Sequence, residues 1–382
     1  MKKRKIVITT GSRSEYGILR PLIDNISNND RFDFFLIVTG MHLSKKHGYT
    51  INDIKKDGFK IYKNFKMNPK NDTPYEISKS LGIGIMEFSK IFKKLKPDIN
   101  LILGDRDESL ASALAAYHMN IPNAHIHGGD KTKAGIDEYN RHAITKISNI
   151  HFAATKLSKN RIIKMGENPE YVFLTGSPSI DEIKIKTILT KKQLEKKYDL
   201  SFSGEEILLL YHPVTTDIEN SGIEIKNILS AIFKTKKPII AIAPNSDAGN
   251  EKIFAQLKLA KKNNHIKLYA NIPREDYLSM LKFCGMLIGN SSSGIIEAGY
   301  FDIPVVNVGI RQKNRERGKN ILDVSGSSNS ILLAIKKSIK LKKMGKIKKS
   351  HVYGYGNSTN KIVEILEKIS LNKNLIQKQI HY

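Results

Sequence analysis

The sequence predicts an α/β protein of two Rossmann-like domains facing a central cleft. Three observations carry this. Short apolar runs rich in β-branched residues alternate with helical patterns, a second such series follows a lysine-rich stretch, and polar or glycine-rich residues stand just after the runs. The chain has 382 residues and 40% hydrophobic content, enough for two domains of ordinary size.

The first series opens with "KIVITT", a buried strand with a helix expected from Tyr16. It continues with "FDFFLIVTG" and a helix, "INLILG" followed by "DESLASALAAYHM", and "IPNAHIHGG" with a later helix. Unbroken apolar runs bounded by Gly, Asn or Pro suit strands covered on both faces, as parallel sheets require. The second series begins near Glu206 with "EILLLYHPV" and runs through "KPIIAIAPNS", "HIKLYANIP", "CGMLIGNSS" and "IPVVNVG". The boundaries that follow are residues 1–180, a helical linker over 181–205, a second domain over 206–357 and a terminal helix and tail over 358–382. In open parallel sheets ligands bind beyond the carboxyl ends of the strands, so the polar strand ends are the candidate site.

Composition narrows the function. The apolar run in "MKKRKIVITTGS" is only about four residues, too short for a signal-peptide core or a membrane span, and no other stretch approaches the length of a span. The expectation is a cytoplasmic protein without a membrane partner. Its single cysteine, Cys284, rules out an intramolecular disulfide and any multi-cysteine metal site, and its apolar context "MLKFCGMLIG" reads as core packing. The net charge of +26 suits an anionic ligand. The lysines are scattered over helical patterns such as "IFKKLK" and "TKKQLEKK", which argues against nucleic acid as the partner; the densest run, Lys336 to Lys349, is expected as a surface patch.

The stretch "GNSSSGIIE" joins an apolar strand to a helix start, where unpaired N–H groups and the helix dipole favour an anion. Ser291, Ser292 and Ser293 offer hydroxyls to phosphate oxygens, and Glu297, one turn on, is better placed for ribose hydroxyls. Arg311 follows the next strand with the forked geometry that neutralises a diphosphate, and His212 ends another strand. A capped helix with no ligand, and a histidine capping local backbone, are the plainer alternatives. No G-x-x-x-x-G-K-[ST] or G-x-G-x-x-G occurs, so neither a P-loop nor a dinucleotide fingerprint is present.

The first half supplies acid and base groups: Asp105, Arg106, Asp107 and Glu108 in "LILGDRDE", His125, His127 and Asp130 in "AHIHGGD", and Asp137, Glu138, Arg141 and His142 in "GIDEYNRHAI". Carboxylates and imidazoles gathered at strand ends suit proton removal and return. Metal binding is the competing reading, but H-x-H-x-x-D follows strand alternation and matches no helical ligand motif; ordinary surface ion pairs are another. The expectation is no metal and no cofactor, with a nucleotide sugar as ligand.

Taken together and in order over residues 5–325, "GSRSEYG", "GMHLSKKHGYT", "GDRDE", "HIHGGD", "IDEYNRHAITK", "TGSPSID", "YHPVT", "PNSDAGN", "GNSSSGIIEAG" and "RQKNRERGKN" resemble the UDP-N-acetylglucosamine 2-epimerase family, in its hydrolysing branch serving sialic and related nonulosonic acids. The resemblance implies a glycosyltransferase-B type fold, a homodimer or homotetramer, and a terminal helix returning to the first domain. It implies elimination of UDP through a glycal intermediate, then water addition at C1 and inversion at C2, giving N-acetylmannosamine and UDP. Residue by residue it implies Asp105 and Asp137, with Glu138 beside it, as catalytic carboxylates and His212 as the group assisting UDP departure. It implies Arg13, Arg106, Asn245, Ser291, Ser292, Glu297 and Arg311 as the UDP-holding set.

One position departs from that pattern. Several members read "HIEGG" where this chain reads "HIHGG", so the acid–base role of that glutamate passes to His127, to Asp130 or to a water between them. The same departure admits a UDP- or GDP-linked diacetamido-trideoxy sugar of the bacillosamine type as substrate. A non-hydrolysing epimerase, which usually reads "HVEAG", and a basic nucleotide-binding module without catalysis are the other two readings.

Overall fold

The computed structural model describes residues 3–45, 48–71, 73–133, 135–185, 189–214, 216–244 and 249–382. The chain divides into two compact units. The first comprises Met1–Asp130, Ile136–Lys184 and Gly354–Tyr382, the second Lys131–Gly135 and Ile185–Tyr353.

The first unit is built on seven parallel strands: β1 (Arg4–Thr10), β2 (Phe32–Val38), β3 (Ile61–Asn64), β4 (Ile99–Leu103), β5 (Asn123–Ile126), β6 (Ile150–Ala153) and β7 (Val172–Leu174). Their order is β3-β2-β1-β4-β5-β6-β7, so the direction of winding reverses between β1 and β4. Ile99–Leu103 is buried along its whole length, which explains its continuous apolar sequence: helices cover both faces. On one face Ile6, Ile8, Leu101 and Leu103 pack with Leu19, Leu22 and Ile26, and also with Ile362, Val363 and Leu366 of the terminal helix Ser358–Lys368. Each such side chain taken from water contributes about 1.5–3 kcal/mol. Polar contacts add register: Arg4 Nη1 donates to the Leu366 carbonyl (2.6 Å) and Asn29 Nδ2 to Glu367 (2.6 Å).

The second unit holds β8 (Ile207–Leu210), β9 (Ile239–Ile242), β10 (Ile266–Tyr269), β11 (Met286–Gly289), β12 (Val305–Val308) and β13 (Ile321–Val324). All are parallel, in the order β10-β9-β8-β11-β12-β13, with the reversal between β8 and β11. Their inner residues meet Ile225, Ile228, Ile232, Ile331 and Ile335 of flanking helices in one core. The helix Ser328–Lys343 carries Lys336, Lys337, Lys340 and Lys343 exposed on its outer side. Cys284 is buried, and that burial pushes its thiol well above the ordinary range, as a packing residue requires. Among the described residues no helix is long and apolar enough to cross a membrane.

Several local expectations are corrected. The first helix begins at Arg13, three residues before Tyr16, because the Ser12 hydroxyl caps it by accepting the Glu15 N–H. The helix after "GNSSS" is a single short segment, Ser292–Ile296, followed by a 3₁₀ turn over Ala298–Phe301, so Glu297 sits at its C-cap. Strands β3, β6, β7 and β13 fall outside the apolar runs named from sequence. Three of these four are edge strands, half-exposed and short, where burial demands no unbroken apolar run. The stretch 181–205 contains the end of helix Pro178–Ile185 and the helix Lys191–Tyr198, the latter started by a Thr190–Gln193 capping box.

Candidate active site

In the first unit the candidate residues lie at the carboxyl ends of β4 and β5 and on the helix Ile136–Lys146. Arg141 on that helix is their organiser. It is 2% exposed, so its guanidinium has no water to rely on and must find acceptors within the protein. Nε donates to Asp105 Oδ2 at 2.8 Å and Nη2 donates to the same oxygen. Nη1 donates to Glu138 Oε2 (2.6 Å) and to the Asp130 carbonyl (3.2 Å). Both oxygens of Glu138 are engaged, since Oε1 meets His142 Nε2 at 3.0 Å. Glu138 thus braces Arg141, whereas Asp105 and Glu138 each keep 22% of their side chains exposed. Asp137 stands half-buried in the first turn of the same helix.

The turn "HIHGGD" is shaped by close approach. A Cβ on Gly129 would fall 2.5 Å from the Ser158 carbonyl, and Gly129 has φ +72°. His127 adopts φ +66° in the same turn, a region costly for a side-chain-bearing residue. Its imidazole lies between Asp130 Oδ2 (Nδ1, 3.2 Å) and Ser177 Oγ (Nε2, 2.8 Å). His125 differs in kind: it is fully buried, its Nε2 donates to the Gly104 carbonyl at 2.7 Å, and burial lowers it to about 3. A neutral imidazole tying β5 to the end of β4 is a structural element, not an acid.

Arg13 and Arg106, expected to hold UDP, stand at the ends of β1 and β4, paired with Asp53 (3.5 Å) and Glu108 (3.2 Å). Between those strands lies a group that sequence reasoning passed over. Glu15 accepts from the Gly11 N–H (3.0 Å) and the Ser12 hydroxyl (3.2 Å). Burial raises its carboxyl to about 7, against Arg106, which lowers it, and with Glu108, which adds to the rise. "GSRSEYG" held the signal, as a glutamate three residues after a serine N-cap.

In the second unit the candidates gather where β8 and β11 part. Gly289 is obligatory there, because φ is +142° and a Cβ would sit 1.9 Å from the Leu210 carbonyl. Asn290, missed in the sequence, is the hub: its Oδ1 accepts the His212 N–H (2.7 Å) and its Nδ2 donates to the His212 carbonyl (2.8 Å). Its own carbonyl accepts from Arg311 Nη1 (3.3 Å) and Gln312 Nε2 (3.0 Å). His212, Ser291 and Arg311 are therefore brought to one place by a single asparagine. Ser291 caps the short helix through the Ser293 N–H (3.3 Å), and Ser292 is half-buried beside it. Glu297 is 3% exposed and held by Arg274 (3.0 and 2.5 Å) and by the Ser293 hydroxyl (2.5 Å), with Tyr277 on that serine. Asn245 lies outside the described residues.

Comparison with known proteins bears on the family and the fold. A family model described as UDP-N-acetylglucosamine 2-epimerase matches residues 24–367. The chain is 36% identical to the UDP-N,N'-diacetylbacillosamine 2-epimerase (hydrolyzing) of Legionella pneumophila, over 98% of each chain. It is 39% identical to the GDP/UDP-N,N'-diacetylbacillosamine 2-epimerase (hydrolyzing) of Campylobacter jejuni, over 85% of each. The fold superposes on the crystal structure of UDP-GlcNAc 2-epimerase from Neisseria meningitidis bound to UDP-GlcNAc with TM-score 0.81 and 21% identity, covering 96% of this chain and 100% of that one. The match of the family model over most of the chain, together with the relatives that share its length, places this chain in the UDP-N-acetylglucosamine 2-epimerase family.

Proposed function

We propose that the chain is a hydrolysing nucleotide-sugar 2-epimerase acting on a UDP- or GDP-linked 2,4-diacetamido-trideoxy hexose. The observation that carries this is the near full-length identity to two enzymes whose names specify both hydrolysis and diacetylbacillosamine. On this reading N-acetylglucosamine, the first expectation from the residues and motifs, becomes the second donor to test.

The reaction breaks the sugar C2–H bond, whose electron pair forms a C1=C2 double bond. The C1–O bond breaks as nucleoside diphosphate leaves with its pair. Hydroxide from water then adds at C1 and a proton adds to C2 from the opposite face. Inversion needs a proton-handling group on each face, and Asp105 serves one of them. Its carboxylate is oriented by two donors from one buried arginine, so its position costs no reorganisation during reaction. Asp137 shares the carboxylate work, and Glu138 holds the arginine. His212, Ser291, Ser292 and Arg311 receive the diphosphate, with His212 donating to the departing group. Arg13 and Arg106 are further candidates for the nucleotide.

The test is an NMR time course in heavy water with the UDP- and GDP-linked diacetamido sugars and, in parallel, UDP-N-acetylglucosamine. Expected is a free 2-epimer deuterated at C2, with nucleoside diphosphate released from a diacetamido donor; Asp105→Asn should lose this turnover and keep nucleotide binding. Consumption of UDP-N-acetylglucosamine alone overturns the substrate assignment. Epimerised nucleotide sugar without release overturns hydrolysis.

A further inference from the structure

The outer face of the helix Ser328–Lys343 takes no part in the candidate site, yet its charge is the least balanced in the chain's helices. Eight lysines stand between Lys336 and Lys349, and no Asp or Glu occurs between Asp323 and Glu364. Other lysine-bearing helices mix their signs. Glu76 and Glu87 of helix Pro74–Leu95 meet Lys79 (3.5 Å) and Lys90 (2.6 Å), and Glu364 meets Lys368 (2.5 Å) in helix Ser358–Lys368. Glu205, whose carboxylate senses Lys343, is bound to Lys237 instead (3.0 Å).

Helical period sorts the segment into two faces. Ile331, Ala334, Ile335 and Ser338 are buried against the second unit's core. Leu333, Lys336, Lys337, Lys340, Lys343 and Met344 fall on the opposite face at spacings of three and four. All six are exposed, Leu333 to 60% and Met344 to 51%. Folding does not call for this face, since lysines three and four apart repel one another. The helix dipole accounts for Lys340, Lys342 and Lys343 in the last turn, but falls off before Lys336 and Lys337. The chain then turns at Gly345 (φ +62°) and continues with Lys346, Lys348 and Lys349, again exposed.

The lysines lie away from the nucleotide candidates of the same unit. Lys342 Nζ donates to the carbonyls of Gly285 (3.0 Å) and Cys284 (3.4 Å), just before β11. The lysine-rich end of the helix therefore sits at the amino ends of the strands, whereas Ser291 and Arg311 follow the carboxyl ends of β11 and β12. Four residues of β11 separate the two ends by about 13 Å. The chemistry suits an extended anionic surface instead. Between Ser325 and Ser350 there is no arginine and no Phe, Tyr or Trp, so the forks and stacking platforms that read nucleic acid are missing. Leu333 and Met344, at either end of the lysine stripe, have no use on a purely polar polyanion. On a bilayer they enter the boundary below the headgroups, while the long lysine stems carry their charges to the lipid phosphates.

We propose that the outer face of helix Ser328–Lys343, continued through Lys349, is a docking surface for an anionic lipid bilayer. Charge supplies the attraction, and Leu333 and Met344 are two shallow apolar anchors. Contact of this kind lies in the headgroup plane and needs no spanning helix, so the absence of a span in the sequence does not bear on it. It is reversible and falls with salt, because each lysine acts within a Debye length of the surface. The attachment is separate from the reaction proposed above and does not rest on it: the nucleotide candidates of the second unit stay at the other end of its sheet.

The test is cosedimentation of the full chain with vesicles of phosphatidylethanolamine containing roughly one third phosphatidylglycerol, beside vesicles of phosphatidylcholine alone, at about 0.1 M and about 0.5 M salt. Expected is binding to the anionic vesicles at the lower salt only. Lys336→Gln, Lys337→Gln, Lys340→Gln and Lys343→Gln together should weaken it by roughly 10²–10³-fold, at about fivefold per lysine. Leu333→Ser with Met344→Ser should weaken it roughly tenfold and leave the salt dependence in place. A control that removes the same charge elsewhere, Lys93, Lys94, Lys261 and Lys262 to Gln, should change it less than about threefold. These lysines are all exposed, so melting temperature should hold in both lysine variants, and a loss of binding is then read on folded protein. No binding to anionic vesicles, equal losses in the two lysine sets, or binding untouched by the first set overturns the proposal. Tighter salt-dependent binding to transfer RNA than to the vesicles overturns it as well, in favour of nucleic acid.

Discussion

Replacing Arg141 with lysine keeps the charge and removes the fork. In the structure the guanidinium spans Asp105 Oδ2, Glu138 Oε2 and the Asp130 carbonyl at once, using Nε, Nη1 and Nη2. A lysine ammonium is a point donor and cannot bridge two carboxylates in that geometry. At least two charge-assisted hydrogen bonds are lost, each worth about 1.5–3 kcal/mol. Asp105 and Glu138 retain 22% side-chain exposure apiece and regain some hydration, which brings the net cost down to roughly 2–4 kcal/mol. For a unit of this size each kcal/mol shifts the midpoint by about 2–4 °C, so a fall of roughly 4–16 °C is expected in the first unit's thermal transition. Differential scanning calorimetry reads it, with a nucleotide-saturated sample marking the second unit's transition. Turnover should fall with it, because the Asp105 carboxylate loses both of its orienting donors. A midpoint unchanged within 1 °C would refute the reasoning that a fully buried guanidinium organises this group.

Two further perturbations probe the other strand ends. Arg311→Ala should weaken UDP binding by roughly 1.5–3 kcal/mol, the range for a charged hydrogen bond, measured by titration calorimetry; an unaltered dissociation constant removes Arg311 from the site. Glu15 tests the sign of a buried acid. Its carboxyl is raised to about 7 chiefly by burial, so the folded state favours the protonated form; the stability this contributes is full below the unfolded value near 4.5 and is lost as pH rises through about 7. Glu15→Gln should therefore gain on the parent by about 1–2 kcal/mol between pH 5.5 and pH 8 in urea unfolding, and a gap that does not widen with pH contradicts the assignment.

Much of the candidate site's placement was legible because strand ends are legible. Asp105, His212, Ser291 and Arg311 each follow an apolar run directly, and in a parallel sheet that position alone puts a residue at the ligand-binding end. Asn290 stood in the same quoted motif and was read past. An asparagine after a glycine looks like turn chemistry, and its two hydrogen bonds to His212 are 78 positions away in sequence. Arg274 and Tyr277 were illegible for a related reason: nothing near them in sequence announces Glu297 and Ser293, which they respectively meet only after helix Arg274–Phe283 packs in place. His125 and His127 looked alike as alternating histidines on one strand end. Burial made one a neutral brace, while the loop after β5 made the other the centre of a hydrogen-bonded array.

By itself the sequence determined the α/β class, the two wound series, the polar strand ends that form the candidate site and the absence of P-loop and dinucleotide fingerprints. These follow from local rules, since hydrophobic period, glycine at tight turns and residue type after a strand act within a few positions. Only the tertiary structure decided which carboxylates share Arg141, that the terminal helix joins the core of the first unit, and which histidine is held between Asp130 and Ser177. Those depend on distances between residues far apart in the chain and on the loss of water around them, and neither is encoded in any short stretch.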